Sequence, residues 1–110
     1  MAEEEANLET IMGLIINGGN AKSSSMEAIM AAKVGDFDKA AAKLKEADGF
    51  LADAHNAQTG MLTKEAQGDH VPVTLLMVHS QDHMMNAITF RDLAGEMVDL
   101  YKKIAGVPFD

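Results

Sequence analysis

The chain is 110 residues long, enough for one compact domain at the usual ~100 to 200 residues per domain and too short for a second. Its 17 acidic and 9 basic residues give a formal charge of −8, with no basic run in either half, which excludes a nucleic-acid backbone or an anionic lipid surface as its natural partner. No cysteine is present, so a disulfide framework, a thiolate nucleophile and a thiolate metal site are excluded too.

Apolar residues make up 47% of the chain, but they lean on alanine and nine methionines, with aromatics at only 5%, so the core is expected to be thin. The start, Met1-Ala2-Glu3-Glu4-Glu5, lacks the positive and apolar regions of a secretory signal. The longest apolar stretch, Val71 to Val78, contains Pro72 and Thr74 and falls far short of the ~20 residues of a membrane span. A soluble, cytoplasmic protein with no direct membrane insertion is expected.

Leu8, Ile11, Met12 and Ile15, then Met26, Ile29, Met30 and Val34, recur at steps of three and four, which predicts a first helix from about Glu3 to Lys33. Gly18-Gly19 in its middle, and Ser24 with Glu27 as a capping box, make two shorter helices the competing reading. One helix with a weak or bent centre is preferred, because Gly18, Gly19 and Ala21 would also let another helix come close. The three glutamates at the start favour a helix N-terminus or remain solvated.

Gly35 then Asp36 supplies a helix stop and an N-cap. A second helix follows to about Gln67 on the stripe Phe37, Ala40, Ala41, Leu44, Ala47, Leu51, Ala54, His55, Gln58, Met61 and Leu62. Gly68-Asp69-His70 breaks it, and Pro72 suits the first turn of a third helix from about Val73 to Ala105, ended by Gly106 and Pro108. Its inner step is read as Leu75, Leu76, His79, Asp82, His83, Asn86, Phe90, Leu93, Met97, Leu100, Tyr101 and Ile104. Three helices of this length with short connections pack as an all-α, antiparallel up-down-up bundle forming a single domain over residues 1–110. The apolar surplus on the third helix implies self-association or a methionine-rich docking face.

The residues that can carry chemistry are His79, Gln81, Asp82 and His83. On a helix, Asp82 and His83 lie three and four steps from His79, so two imidazoles and a carboxylate share one side. Three uses fit: a neutral imidazole accepting a phosphoryl group, with Gln81 and His83 orienting the ring or the phosphoryl oxygens; a divalent metal on His79, His83 and Asp82; or a satisfied structural network. No Gly-rich phosphate loop is present, so a phosphoryl group would come from another carrier rather than from bound nucleotide. His55, with Gln58, either borders the His79 pocket or is a locally bonded histidine at the core edge, and His70 is expected to be exposed in the turn.

The segments Met12-Gly13-Leu14-Ile15-Ile16-Asn17-Gly18-Gly19, Gly35-Asp36-Phe37, Glu46-Ala47 through Ala54-His55-Asn56-Ala57-Gln58-Thr59, and Val78-His79-Ser80-Gln81-Asp82-His83 lie in order across nearly the whole chain. Together they resemble the lactose/cellobiose-type IIA component of the bacterial sugar phosphotransferase system. The resemblance implies a cytoplasmic phosphocarrier, a homotrimer of three-helix bundles, taking a phosphoryl group from the carrier protein HPr and passing it to a cysteine of the cognate IIB component during disaccharide uptake. It implies His79 as phosphoacceptor and Asp82 at the trimer axis, where three carboxylates would hold one structural cation, Mg²⁺ as first choice. Ser80 stands where the family often has alanine. A non-enzymatic helical adaptor with a methionine-rich docking face is the reading from another class.

Overall fold

The computed structural model describes residues 2–108, with the side chains of Ala2, Glu3 and Ala6 outside the description. Three helices, α1 (Ala2–Lys33), α2 (Phe37–Ala66) and α3 (Leu75–Ala105), form an all-helical bundle with no strand among the described residues. It measures 55 × 21 × 19 Å, the proportions of single helices lying side by side. Helix α1 is the central member, packing closely along both others, while α2 and α3 touch one another less.

The connections follow from their residues. Gly35 has φ 81°, a left-handed conformation that glycine adopts without a side-chain clash, and it turns the chain out of α1. Asp36 caps α2 by accepting a hydrogen bond from the Lys39 backbone N–H at 3.2 Å. Pro72 does not enter the first turn of α3: the Thr74 hydroxyl caps that helix, accepting from the Met77 N–H at 3.1 Å, and α3 begins at Leu75. A free side-chain oxygen at the cap satisfies an orphan N–H, which proline cannot do, so the later start is favoured. Gly106, at φ 73°, closes α3 with its N–H directed to the Lys102 and Lys103 carbonyls.

Helix α1 is continuous through Gly18 and Gly19, and Ser24 is a buried mid-helix residue rather than a cap. The seam explains why the glycines are tolerated. Buried positions at Ile11, Leu14, Gly18, Ala21, Ser25, Ala28 and Ala32 alternate by three and four, flanked by the buried Ser24, Ile29 and Ala31. On α2 the buried residues are Ala40, Ala47, Ala54 and Met61, one in every seven, and on α3 they are Met77, Ser80, Met84, Ala87, Ala94 and Val98. A seven-residue repeat on all three helices is the signature of a left-handed, coiled-coil-like seam, here lined by small side chains that let the backbones come close.

The expected stripes are corrected accordingly. Of the expected α1 stripe Ile11 and Ile29 are buried, but Leu8, Met12, Met26 and Met30 are exposed, as is Val34 just past the helix end, and on α3 Leu75, Leu93, Leu100 and Ile104 are at least half exposed. On α2, Ala41, His55 and Leu62 face out. Alanine, glycine and serine share the interior with a few large residues such as Leu14 and Met84, so many of the bulkier apolar residues, which dominate a hydropathy reading, lie on second, outward faces. The middle of the α3 seam is polar: Arg91, between Ala87 and Ala94, reaches Asp48 on α2 with Nε–Oδ1 at 2.7 Å and Nη2–Oδ2 at 3.0 Å. Lys43 ties α2 to α1 through Glu27 at 2.7 Å and also meets Glu46 at 3.1 Å.

Candidate functional site

Helix α3 carries His79 in its second turn, exposed, and His83 one turn further on, half-buried. Their rings stack, with centroids 5.8 Å apart and planes 27° from parallel. That pairing follows from the helix itself, since residues four apart lie above one another on one face. Asp82 is exposed, one residue before His83.

The His83 ring rests on α1. A Cβ at Gly18 would lie 3.0 Å from His83 Cδ2 and 3.6 Å from the Met84 Cα, and one at Gly19 would lie 3.5 Å from His83 Nε2. The glycines therefore serve the close approach of α3. What the sequence did not reveal is that the group brought against them is an imidazole of the candidate site. The mid-helix Gly-Gly was the available signal.

Gln81 is not brought to the histidines. Two residues on a helix point about 200° apart, so Gln81 turns inward between α2 and α3. There its Oε1 accepts a hydrogen bond from Gln58 Nε2 at 2.6 Å, and its Nε2 lies 3.8 Å from Met61 Sδ and 3.7 Å from Met77 Sδ. Gln58 Nε2 is also 3.8 Å from Met85 Sδ. Beneath the site, the buried Ser80 hydroxyl donates to the Met77 carbonyl at 2.7 Å, which accounts for a small residue at this position. His55 is exposed and outside this arrangement, while His70, also exposed, pairs with Glu65.

Among the described residues no three histidine, aspartate or glutamate side chains gather closely enough to hold a metal ion. Within one chain the donors around His79, Asp82 and His83 therefore do not fit a divalent cation, which prefers several oxygen ligands at once. A cation on Asp82 requires carboxylates from further copies.

Comparison with known proteins gives this geometry its context. The family model described as "PTS system, Lactose/Cellobiose specific IIA subunit" matches residues 9–102. A lichenan-specific phosphotransferase enzyme IIA component of Bacillus subtilis (strain 168) is 50% identical over 96 residues, 87% of each chain. The crystal structure of the cellobiose-specific enzyme IIA from Bacillus anthracis superposes with a TM-score of 0.87 at 41% identity, over 89% of this chain and 90% of that one. The IIA(Chitobiose) protein of Escherichia coli, solved in solution in complex with HPr, superposes with a TM-score of 0.77 at 37% identity, over 88% of this chain and 94% of that one. These relatives are sugar-specific components of phosphotransferase systems. The chain belongs to the lactose/cellobiose-specific IIA family. No described helix is long and apolar enough to cross a membrane.

Proposed function

We propose that the protein is a cytoplasmic phosphocarrier in which His79 takes a phosphoryl group from phospho-HPr and yields it to a cysteine of the cognate IIB component during disaccharide uptake. The observation that carries this reading is an exposed imidazole, stacked 5.8 Å from a half-buried second imidazole on one face of a rigid helix, in a chain of the IIA family. HPr as donor is supported by the solution complex of the related chitobiose protein.

In the first step a ring nitrogen of neutral His79 attacks the phosphorus of the donor phosphohistidine. The new N–P bond forms as the donor N–P bond breaks, and its electron pair returns to the donor imidazole. In the second step the IIB thiolate attacks the same phosphorus and the His79 nitrogen leaves with its pair. His83 orients the His79 ring and offers an N–H to the phosphoryl oxygens, a charge-assisted contact. Gln81, tied to Gln58, acts from below by fixing the pitch of α3 against α2. Intact-mass measurement after incubation with phosphoenolpyruvate, enzyme I and HPr should show one added phosphoryl group, labile in acid. A His79→Gln protein that acquires it at wild-type yield would sink the assignment.

The working assembly proposed here is a homotrimer. Outward apolar stripes on α1 and α3 support self-association, and Asp82 lies along the α3 stripe between Val78 and Met85. Three Asp82 carboxylates at an axis would repel one another unless protons or one Mg²⁺ compensated, and such a cation is structural. Asp82→Leu should leave the trimer intact or tighter and abolish cation binding, as read by sedimentation and metal titration. Wild-type protein that sediments as a monomer at micromolar concentration refutes this assembly.

A further inference from the structure

On the phosphocarrier reading of His79, the floor of the site is the face of α1 beneath His83. The His83 ring is stacked on His79 on one side and bounded by the α1 backbone on the other. At Gly18 a side chain would crowd the ring: a Cβ there would stand 3.0 Å from His83 Cδ2 and 3.5 Å from His83 Nε2, while the Met84 Cα, a main-chain atom that cannot swing aside, would be in ordinary contact at 3.6 Å. Met84 is fully buried, so α3 is pinned at this level. A methyl group on Gly18 would therefore be accommodated by the His83 imidazole. The main chain is fixed, so the ring would give way by a few tenths of an ångström, away from α1, and its stacking on His79 would change with it.

The geometry points to Gly18 as a positioning residue: by lacking a side chain it seats the His83 imidazole at the depth from which that ring can meet a phosphoryl group on His79. Gly18 touches neither phosphoryl donor nor acceptor and acts only through His83. A phosphoryl oxygen is held by an N–H at a narrow range of distance, and displacements well under 1 Å are felt in transfer rates.

Gly18→Ala is expected to fold, since alanine is the better helix former. Gly49→Ala on α2, where nothing lies within 4 Å of the added methyl, controls for the general effect of replacing a helical glycine. In uncharged protein, Gly18→Ala should shift the His83 imidazole resonances in nitrogen-edited NMR spectra, and Gly49→Ala should not. In transfer from phospho-HPr, Gly18→Ala should lower kcat roughly tenfold with little change in KM for HPr, because the docking surface is untouched. In a His83→Ala background the same substitution should cost no more than about twofold further, because the group it acts through has gone.

Unmoved His83 resonances would overturn the inference, as would a loss just as large in the His83→Ala background. Wild-type protein that takes no phosphoryl group under any of these conditions would remove the proposed function instead, and the imidazole spectra would still decide whether Gly18 seats His83.

Discussion

Two serines are fully buried in the seams, Ser25 and Ser80, and they should respond differently to loss of the hydroxyl. Ser25 on α1 is fully buried, and its Oγ has no hydrogen-bond partner. Ser80 on α3 is equally buried, but its hydroxyl donates to the Met77 carbonyl at 2.7 Å. An unsatisfied buried hydroxyl costs about 1–3 kcal/mol, whereas a typical satisfied one contributes about 0.5–1.5 kcal/mol net. Alanine also gains up to ~0.7 kcal/mol of helix propensity over serine, and the void left by one oxygen, smaller than a methyl group, returns only part of this. Ser25→Ala should therefore stabilise the protein by about 1–2 kcal/mol. Ser80→Ala should fall between neutral and about 1 kcal/mol destabilising, its propensity gain offset by the lost bond. With a urea dependence of about 2 kcal/mol per molar, mid-range for a small protein, the Ser25 variant should shift the unfolding midpoint upward by roughly 0.5–1 M. Both variants are compared at one protein concentration, because self-association would couple to unfolding. A lower midpoint for Ser25→Ala would refute the reasoning. So would equal stabilisation by Ser80→Ala, since helix propensity alone would then explain both.

Leu14, fully buried where α1 meets the cluster of Ile11, Ala54, Met61, Met77 and Met84, should cost about 2–5 kcal/mol on replacement by alanine, measured by urea unfolding. The Glu27 carboxyl is held below its ordinary value of 4.5, first by its hydrogen bond to Lys43 and then by the charge of Lys43, and Lys43 is raised above 10.5 chiefly by the same hydrogen bond. A lowered carboxyl contributes stability that is present above pH 4.5 and lost as pH falls through its folded value, while a raised amine contributes below pH 10.5 and loses it as pH rises beyond. Glu27→Gln should flatten the acid limb of the stability–pH curve below 4.5, and an unchanged limb would show that the pair has no thermodynamic effect. For the two-pronged Arg91–Asp48 contact, a double-mutant cycle with Arg91→Met and Asp48→Ala should give a coupling of up to about 1 kcal/mol that weakens with salt, since both side chains are partly exposed.

The helices were legible because their punctuation is local. Gly35-Asp36 and Gly106 announce themselves by residue type, and the observed bounds of α1 and α2 lie within a residue or so of the expected ones. The start of α3 was misplaced because Pro72 and Thr74 both suit a helix beginning, and only the Thr74 hydroxyl satisfies a backbone N–H. The inner faces were less legible. A reading weighted by side-chain size found the buried Ile11 and Ile29 but also followed the exposed Leu8, Met12, Met26 and Met30, and it passed over Gly18, Ala21, Ser25, Ala28 and Ala32 in the packed seam. On α2 the expected stripe did hold Ala40, Ala47, Ala54 and Met61, all buried, but small residues do not stand out by hydropathy and nothing set them apart from Ala41, His55 and Leu62, which face out. At the site, spacing alone paired His79 with His83. It could not tell that Gln81, two steps on, would be drawn to Gln58 on another helix, because that depends on the packing of α2 against α3.

The small-residue seam also bears on the proposed relay, in which His79 would meet two partners in turn. A group that receives and then surrenders the same phosphoryl must be reached by two different proteins, so its nucleophile has to stand on the surface, where side chains are usually mobile. Here mobility is removed one layer down. His79 is exposed, but the ring against it is half-buried on α1, and the helix that presents both is fixed by Met84, Ser80 and the Gln58–Gln81 amide pair. With bulky residues at Gly18 and Ala21, α3 would stand further from α1 and His83 would lose its floor. The thin core that composition predicted therefore suits the site: close helix approach gives an exposed imidazole a neighbour of defined position, and the apolar bulk displaced outward remains for contacts between molecules.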